Sequence, residues 1–138
     1  MESDVSITVS STDLQRLEAI LKDRKDTDSP TISGLKNELR RATILPQKEM
    51  PPDVVTMNSK VKFVIEPTGK KFDLTLVYPS DTEDNRPDII SILAPIGSAL
   101  LGLSIGQTIN WLLPGGHNTT VRVVEVTYQP EREGRYHL

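Results

Sequence analysis

Three aspartates, Asp23, Asp26 and Asp28, crowd the stretch KDRKDTD. Carboxylate is the residue type that suits a hard cation such as magnesium, which takes one or two of them and completes its shell with water. Lys22, Arg24 and Lys25 interleave with these acids and nearly cancel their charge, so a solvated loop is the competing reading. The acidic run SDTEDNRPD at 80–88 has the same two readings, and a polar loop tip accounts for it without a cation. His117 follows Gly-Gly and His137 lies in the tail. The sequence sets no carboxylate or serine beside either, and a histidine base or an activated nucleophile needs such a partner. Trp111 is the sole tryptophan and could floor an apolar peptide pocket, although a core position is the simpler use of it in a chain with so few rings. Gly97, Gly102 and Gly106 match no phosphate-cradling spacing, and turn or helix-end duties suffice for them. No catalytic residue, metal site or cofactor is expected. Pro95 and Ile96 stand at the head of the apolar run PIGSALLGL, whose leucines are expected to pack in the core in part.

The composition limits what such residues can serve. A chain of 138 residues allows one ordinary domain, or a small domain with an appendage. Hydrophobic residues make up 36% and aromatics only 4%, so a core is available while an aromatic-lined ligand cavity is hard to build. Sixteen Lys and Arg against nineteen Asp and Glu give a net charge of -3. That balance does not favour the phosphate neutralisation that dominates DNA and RNA binding. The absence of cysteine excludes disulfides, thiol nucleophiles and cysteine-ligated zinc. The start MESDVSITVS lacks a basic segment followed by an apolar run, and no stretch approaches the ~18 apolar residues of a membrane span. The expectation is a soluble cytoplasmic protein, monomeric, with no direct nucleic-acid or membrane partner.

Two helices and a sheet must position the candidate residues. Leu14, Leu17 and Leu21 recur at helical spacing, and Thr12 with Gln15 has the spacing of a capping box, which predicts a helix near 12–23. Ile32, Leu35, Leu39 and Ala42 repeat the pattern after Pro30, which suits a first helical turn, and predict a second helix near 31–44. Each apolar stripe is narrow, as in two helices that bury one seam against each other. The economical arrangement is an antiparallel hairpin with the aspartates at its tip, reaching roughly 20 Å. PQKEMPP at 46–52 cannot continue a helix and marks the expected boundary between a hairpin at 1–50 and a second unit at 51–138. Downstream, KVKFVIE, FDLTLVY, DIISIL, TINWLL and TVRVVEVTY predict strands at 60–66, 72–78, 88–93, 108–113 and 120–128 in an antiparallel sheet. Between the third and fourth, Pro95 can open a short helix and Gly102 can end it.

The run ISILAPIGSALLGLSIGQTINWLLPGG with VRVVEVTY resembles the C-terminal domain of the Gre transcript-cleavage factors, whose signature is a strand, a Ser-Pro turn, an Ala-Leu-Leu-Gly helix and a Pro-Gly hairpin. MPPDVVTMNSKVKF and the short helical pair resemble, more closely, the family called regulator of nucleoside diphosphate kinase, Rnk. The resemblance implies an α+β protein: a short antiparallel helical hairpin, or coiled coil, followed by an FKBP-like antiparallel sheet with one short helix. It implies a non-enzymatic bacterial regulator that binds core RNA polymerase at the secondary channel, the FKBP-like unit on the rim and the hairpin pointing inward.

Departures from the Gre pattern shape the finer expectations. Gre factors carry a longer coiled coil whose tip acids help bind a catalytic magnesium in the polymerase. The shorter hairpin here implies channel occupancy without transcript cleavage, in competition with Gre factors for a shared site. The Gre docking turn, an acidic residue followed by Ser-Pro, corresponds to Leu93, Ala94 and Pro95, which with Ile96 form the expected polymerase-docking site. Asp23, Asp26 and Asp28 form the expected tip. Two alternatives stand beside this reading: direct action on nucleoside diphosphate kinase, as the family name implies, and prolyl isomerisation by an FKBP-like pocket, which the shortage of aromatics opposes.

Overall fold

The computed structural model describes residues 7–22, 30–66, 68–79, 87–113 and 117–135. Among them the chain order is β1 (Thr8–Ser10), α1 (Ser11–Leu21), α2 (Pro30–Arg41), β2 (Thr43–Leu45), β3 (Lys60–Glu66), β4 (Lys70–Val77), β5 (Ile89–Ser91), α3 (Pro95–Leu100), β6 (Thr108–Leu113) and β7 (His117–Tyr128). A short 3-10 turn, Gln47–Glu49, sits in the proline-rich stretch after β2. This is a mixed α+β architecture with three α-helices among the described residues.

Five strands form one sheet in the order β5-β4-β3-β7-β6. β3 pairs antiparallel with β4 and β7, and β6 pairs antiparallel with β7. β5 joins the edge parallel to β4, so the sheet is mostly, and not wholly, antiparallel. Alternation sends Val61 and Phe63 of β3 and Val121 and Val123 of β7 inward, where Phe63 stacks on Phe72 with ring centroids 5.3 Å apart. A register shift between Lys62 and Phe63 leaves Val124 as an extra residue in β7, and its side chain is exposed.

The N-terminal half differs from the periodicity in two places. The cap of α1 is Ser10, whose side chain accepts from the Asp13 amide at 3.0 Å, so Thr12 lies inside the helix and the capping-box expectation is corrected. α2 ends at Arg41, and Thr43–Leu45 instead pairs parallel with β1 as a two-stranded sheet. Three residues of strand are too few to display a period, and the β-branched Thr43 and Ile44 favour extension over another helical turn.

A single apolar cluster unites the chain. Leu17 and Leu21 of α1, Leu35 and Leu39 of α2, Val55 and Met57 of the connecting segment, and Leu100 and Leu101 around the end of α3 all belong to it. β1 is tied to the far half by a bond from the Thr8 amide to the Gly102 carbonyl at 3.2 Å. Gly102 has φ +81°, and a Cβ there would lie 2.5 Å from Ile7 Cβ, so glycine is required both by conformation and by the close approach of the N-terminal strand.

Candidate functional site

The turn from β5 into α3 is built from short-range bonds. Ile92 is fully buried and its amide donates to the Val77 carbonyl at 3.0 Å, which fixes the exit of the edge strand. Ser91 then organises the turn from both of its oxygens. Its Oγ accepts from the Leu93 amide and its carbonyl accepts from the Ala94 amide, both at 3.0 Å. Ala94 is the N-cap of α3 with extended backbone, Pro95 opens the helix, and the Ser98 amide donates to the Ala94 carbonyl at 2.9 Å. A side chain at Gly97 would collide with the Ser91 carbonyl, so the helix can pack this tightly on the strand only with glycine there. Leu93, Ala94 and Ile96 are half-buried, and Leu93 and Ile96 lean on the core with their inner atoms. The result is a pinned, partly exposed apolar edge with no charged side chain within Leu93–Ile96.

A second constellation joins α1 to the rest of the fold and was not visible in the sequence. Asp13, in the first turn of α1, is 3% exposed. Its Oδ2 accepts from the Met57 amide at 3.1 Å and its Oδ1 from the Tyr78 hydroxyl at 3.2 Å. Burial pushes this carboxyl up to about 6 from an ordinary value of 3.8, and the charge of Glu131 adds to the rise. The Met57 amide, the Tyr78 hydroxyl and Arg16 oppose it. Tyr78 is itself raised, first by burial and then by Asp13, with Arg16 favouring the opposite direction. Beside this pair, the Thr56 hydroxyl donates to Glu131 Oε1 at 2.8 Å and the Thr56 amide to Ser59 Oγ at 2.9 Å. Gln129 Nε2 donates to the carbonyls of Pro51 and Val54, both at 2.7 Å. The motif MPPDVVTMNS is thus held from two sides, by α1 through Asp13 and by the turn after β7 through Gln129 and Glu131. Unpaired buried polar groups cost free energy, and these bonds satisfy them while fixing the position of α1. A lone acidic residue in a first helical turn is ordinarily a dipole partner, so only the apolar neighbours of Asp13 could have hinted at its burial.

The expected site residues fare differently. Leu93, Ala94, Pro95 and Ile96 come together on one turn. Asp23, Asp26 and Asp28 lie outside the described residues, as do the acids of 80–86 and His137. Trp111 lies in β6 opposite Thr119, and His117 begins β7 opposite Leu113. Among the described residues no group of three or more His, Cys, Asp or Glu could hold a metal ion, and no helix is long and apolar enough to cross a membrane.

Comparisons with known proteins meet this geometry on both halves of the chain. Residues 6–45 match the family described as Rnk N-terminus, and residues 50–128 match Transcription elongation factor, GreA/GreB, C-term. The chain is 42% identical over 133 residues to the regulator of nucleoside diphosphate kinase of Escherichia coli K12, covering 96% of this chain and 97% of that one. It is 31% identical over 105 residues to the transcription elongation factor GreA of Geobacillus kaustophilus, covering 76% of this chain and 65% of that protein. Among solved structures, a prokaryotic transcription elongation factor GreA/GreB from Nitrosomonas europaea superposes with a TM-score of 0.71 at 49% identity, covering 91% of this chain and all of that one. A Gre-like fold, an N-terminal segment of the Rnk type and near full-length similarity to a curated member lead to one assignment: the chain belongs to the Rnk family, with a GreA/GreB C-terminal domain.

Proposed function

We propose that this protein is a non-enzymatic transcription regulator that binds core RNA polymerase at the secondary channel and competes there with Gre factors without cleaving RNA. In this reading the sheet and α3 form an FKBP-like rim unit, α1 and α2 form a short hairpin directed into the channel, and the protein acts in the cytoplasm as a monomer without contacting nucleic acid. The observation that carries it is the β5–α3 turn. Within the stretch that matches the GreA/GreB C-terminal family, Leu93–Ile96 form an apolar edge held by Ser91 and Gly97. Such an edge is a docking device: its conformation is set before binding, so little ordering entropy is lost when a partner covers it. Eleven residues of α1 and twelve of α2 reach only about 16–18 Å, which supports occupancy of a channel entrance over delivery of acids to a distant active site.

The relatives' name gives the second reading, in which the protein regulates nucleoside diphosphate kinase directly. Labelled full-length protein titrated by fluorescence anisotropy with core polymerase, and separately with the kinase, discriminates the two. Saturable binding to polymerase alone is expected. Saturable binding to the kinase with none to polymerase would replace the first reading with the second.

A further inference from the structure

α1 and α2 share the core through Leu17, Leu21, Ile32, Leu35 and Leu39, yet they do not close on each other along their whole length. Between their outer flanks lies a groove of about 370 Å³. Its floor is aliphatic, made by Leu14, Leu21 and Leu39. Among the described residues its rim is cationic, with Lys22 at the end of α1 and Lys36 and Arg40 on α2 against the acid Glu18. Three positive charges less one negative leave +2 around this groove, whereas the whole chain carries -3. Among the described lining residues the sign is therefore opposite to that of the molecule. Arg40 is held on the α2 surface by its bond from Nη1 to Asn37 Oδ1 at 2.8 Å.

The chemistry of the groove selects among anions. A nucleotide would want a ring to stack on and buried donors to fix its phosphate, but the floor is made only of leucines and the cations stand on the rim. A helix with apolar anchors on one face and acids on its flanks satisfies both features at once. Leu14 is the partly exposed leucine of the floor, while Leu21, two turns on along the same face of α1, and Leu39 are buried beneath it. Opposite charges along the edges would fix orientation and speed encounter. We propose that the α1–α2 groove is a docking site for an acidic amphipathic helix of a protein partner. The proposal goes beyond the polymerase reading, and its test contains no polymerase.

The test is fluorescence anisotropy of the full chain with a labelled synthetic peptide of about fourteen residues, roughly four turns, bearing leucines at i, i+3, i+4 and i+7 and glutamates elsewhere. The control peptide replaces every glutamate with lysine. Saturable binding of the acidic peptide is expected, at least tenfold tighter than the basic one. It should weaken at least tenfold in the double variant Lys22→Glu/Arg40→Glu, and its methyl NMR perturbations should centre on Leu14, Leu21 and Leu39. Both reversed residues are exposed; should the reversed pair unfold, the neutral pair Lys22→Ala/Arg40→Ala should give a smaller loss in the same direction. No saturable binding, equal binding of the two peptides, or unchanged binding by the folded variants would overturn the proposal. So would displacement of the peptide by inorganic pyrophosphate at equal concentration, which would mark a simple anion site.

Discussion

Asp13 is the residue on which the assembly of the chain turns. Its carboxyl is buried, bonded to the Met57 amide and the Tyr78 hydroxyl, and raised to about 6. The folded state therefore holds a proton more tightly than the unfolded chain. The stability this group allows is fully present below pH ~4 and falls as pH rises toward 6, by up to about 3 kcal/mol, and it levels off above that. Asp13→Asn keeps an acceptor for Met57 and can donate to the Tyr78 oxygen, with nothing to ionise. We expect the stability difference, wild type minus variant, to decline between pH 4 and 6 in thermal or denaturant unfolding, and the variant to be at least as stable as wild type at pH 7.5. A difference that stays flat over that range would show that the carboxyl is ionised throughout. At this scale the sequence was partly legible. The turn at Leu93–Ile96 was legible as the entry to a short helix, because Pro95 suits a first helical turn, and its docking role remains our proposal. Asp13 was hidden, because an acid near a helix start is usually exposed and its partners Met57, Tyr78 and Glu131 are far along the chain.

At the scale of elements, the β5–α3 turn has a defect that can be repaired. Ala94 occupies the N-cap of α3 without a side-chain acceptor, where Ser, Thr, Asp and Asn add about 1 kcal/mol. Ala94→Ser should raise the unfolding midpoint by a few degrees, and thermal unfolding of the two proteins checks it; an unchanged midpoint would show that the serine does not cap α3. Ile96→Asp should lower polymerase affinity at least tenfold, or ~1.4 kcal/mol, by placing a charge on a surface that is covered on docking. Ile96 also leans on the core, so the comparison is made with protein shown by its melting curve to be folded. An Ile96→Asp protein that is folded and binds like wild type would move the docking surface elsewhere. Strands β3 and β6 were read at their observed bounds. β1 and β2 were not, because Thr8–Ser10 and Thr43–Leu45 are too short to carry a period. The parallel pairing of β5 was also invisible, since alternation records which face a side chain takes and says nothing of strand direction.

For the whole molecule, the division at 46–52 remains our proposal for how the chain is organised, and the shared core refines what it means. A fragment of residues 51–138 would lack Leu17, Leu21, Leu35 and Leu39 of the shared core and would leave the Met57 amide without its carboxylate. The fragment, which strand content alone suggests could fold independently, is therefore expected to unfold at a midpoint well below that of the full chain. Thermal unfolding of the two proteins under one buffer condition checks this, and equal midpoints would mean that the N-terminal helices contribute nothing to the second unit. Asp13 fastens α1, the Gly102 carbonyl fastens β1, and a common core joins α1 and α2 to the rest of the fold, so in the reading we propose the direction in which the helices project would follow from how the rim docks. The measurement that tests this account most directly is cleavage of RNA in a backtracked polymerase complex, with a Gre factor held constant and this protein titrated in. The account predicts no cleavage by this protein alone and a saturable loss of Gre-stimulated cleavage, relieved by excess Gre factor and shifted to higher concentration by Ile96→Asp. Cleavage by the protein itself, or Gre activity untouched at saturating concentrations, would contradict it.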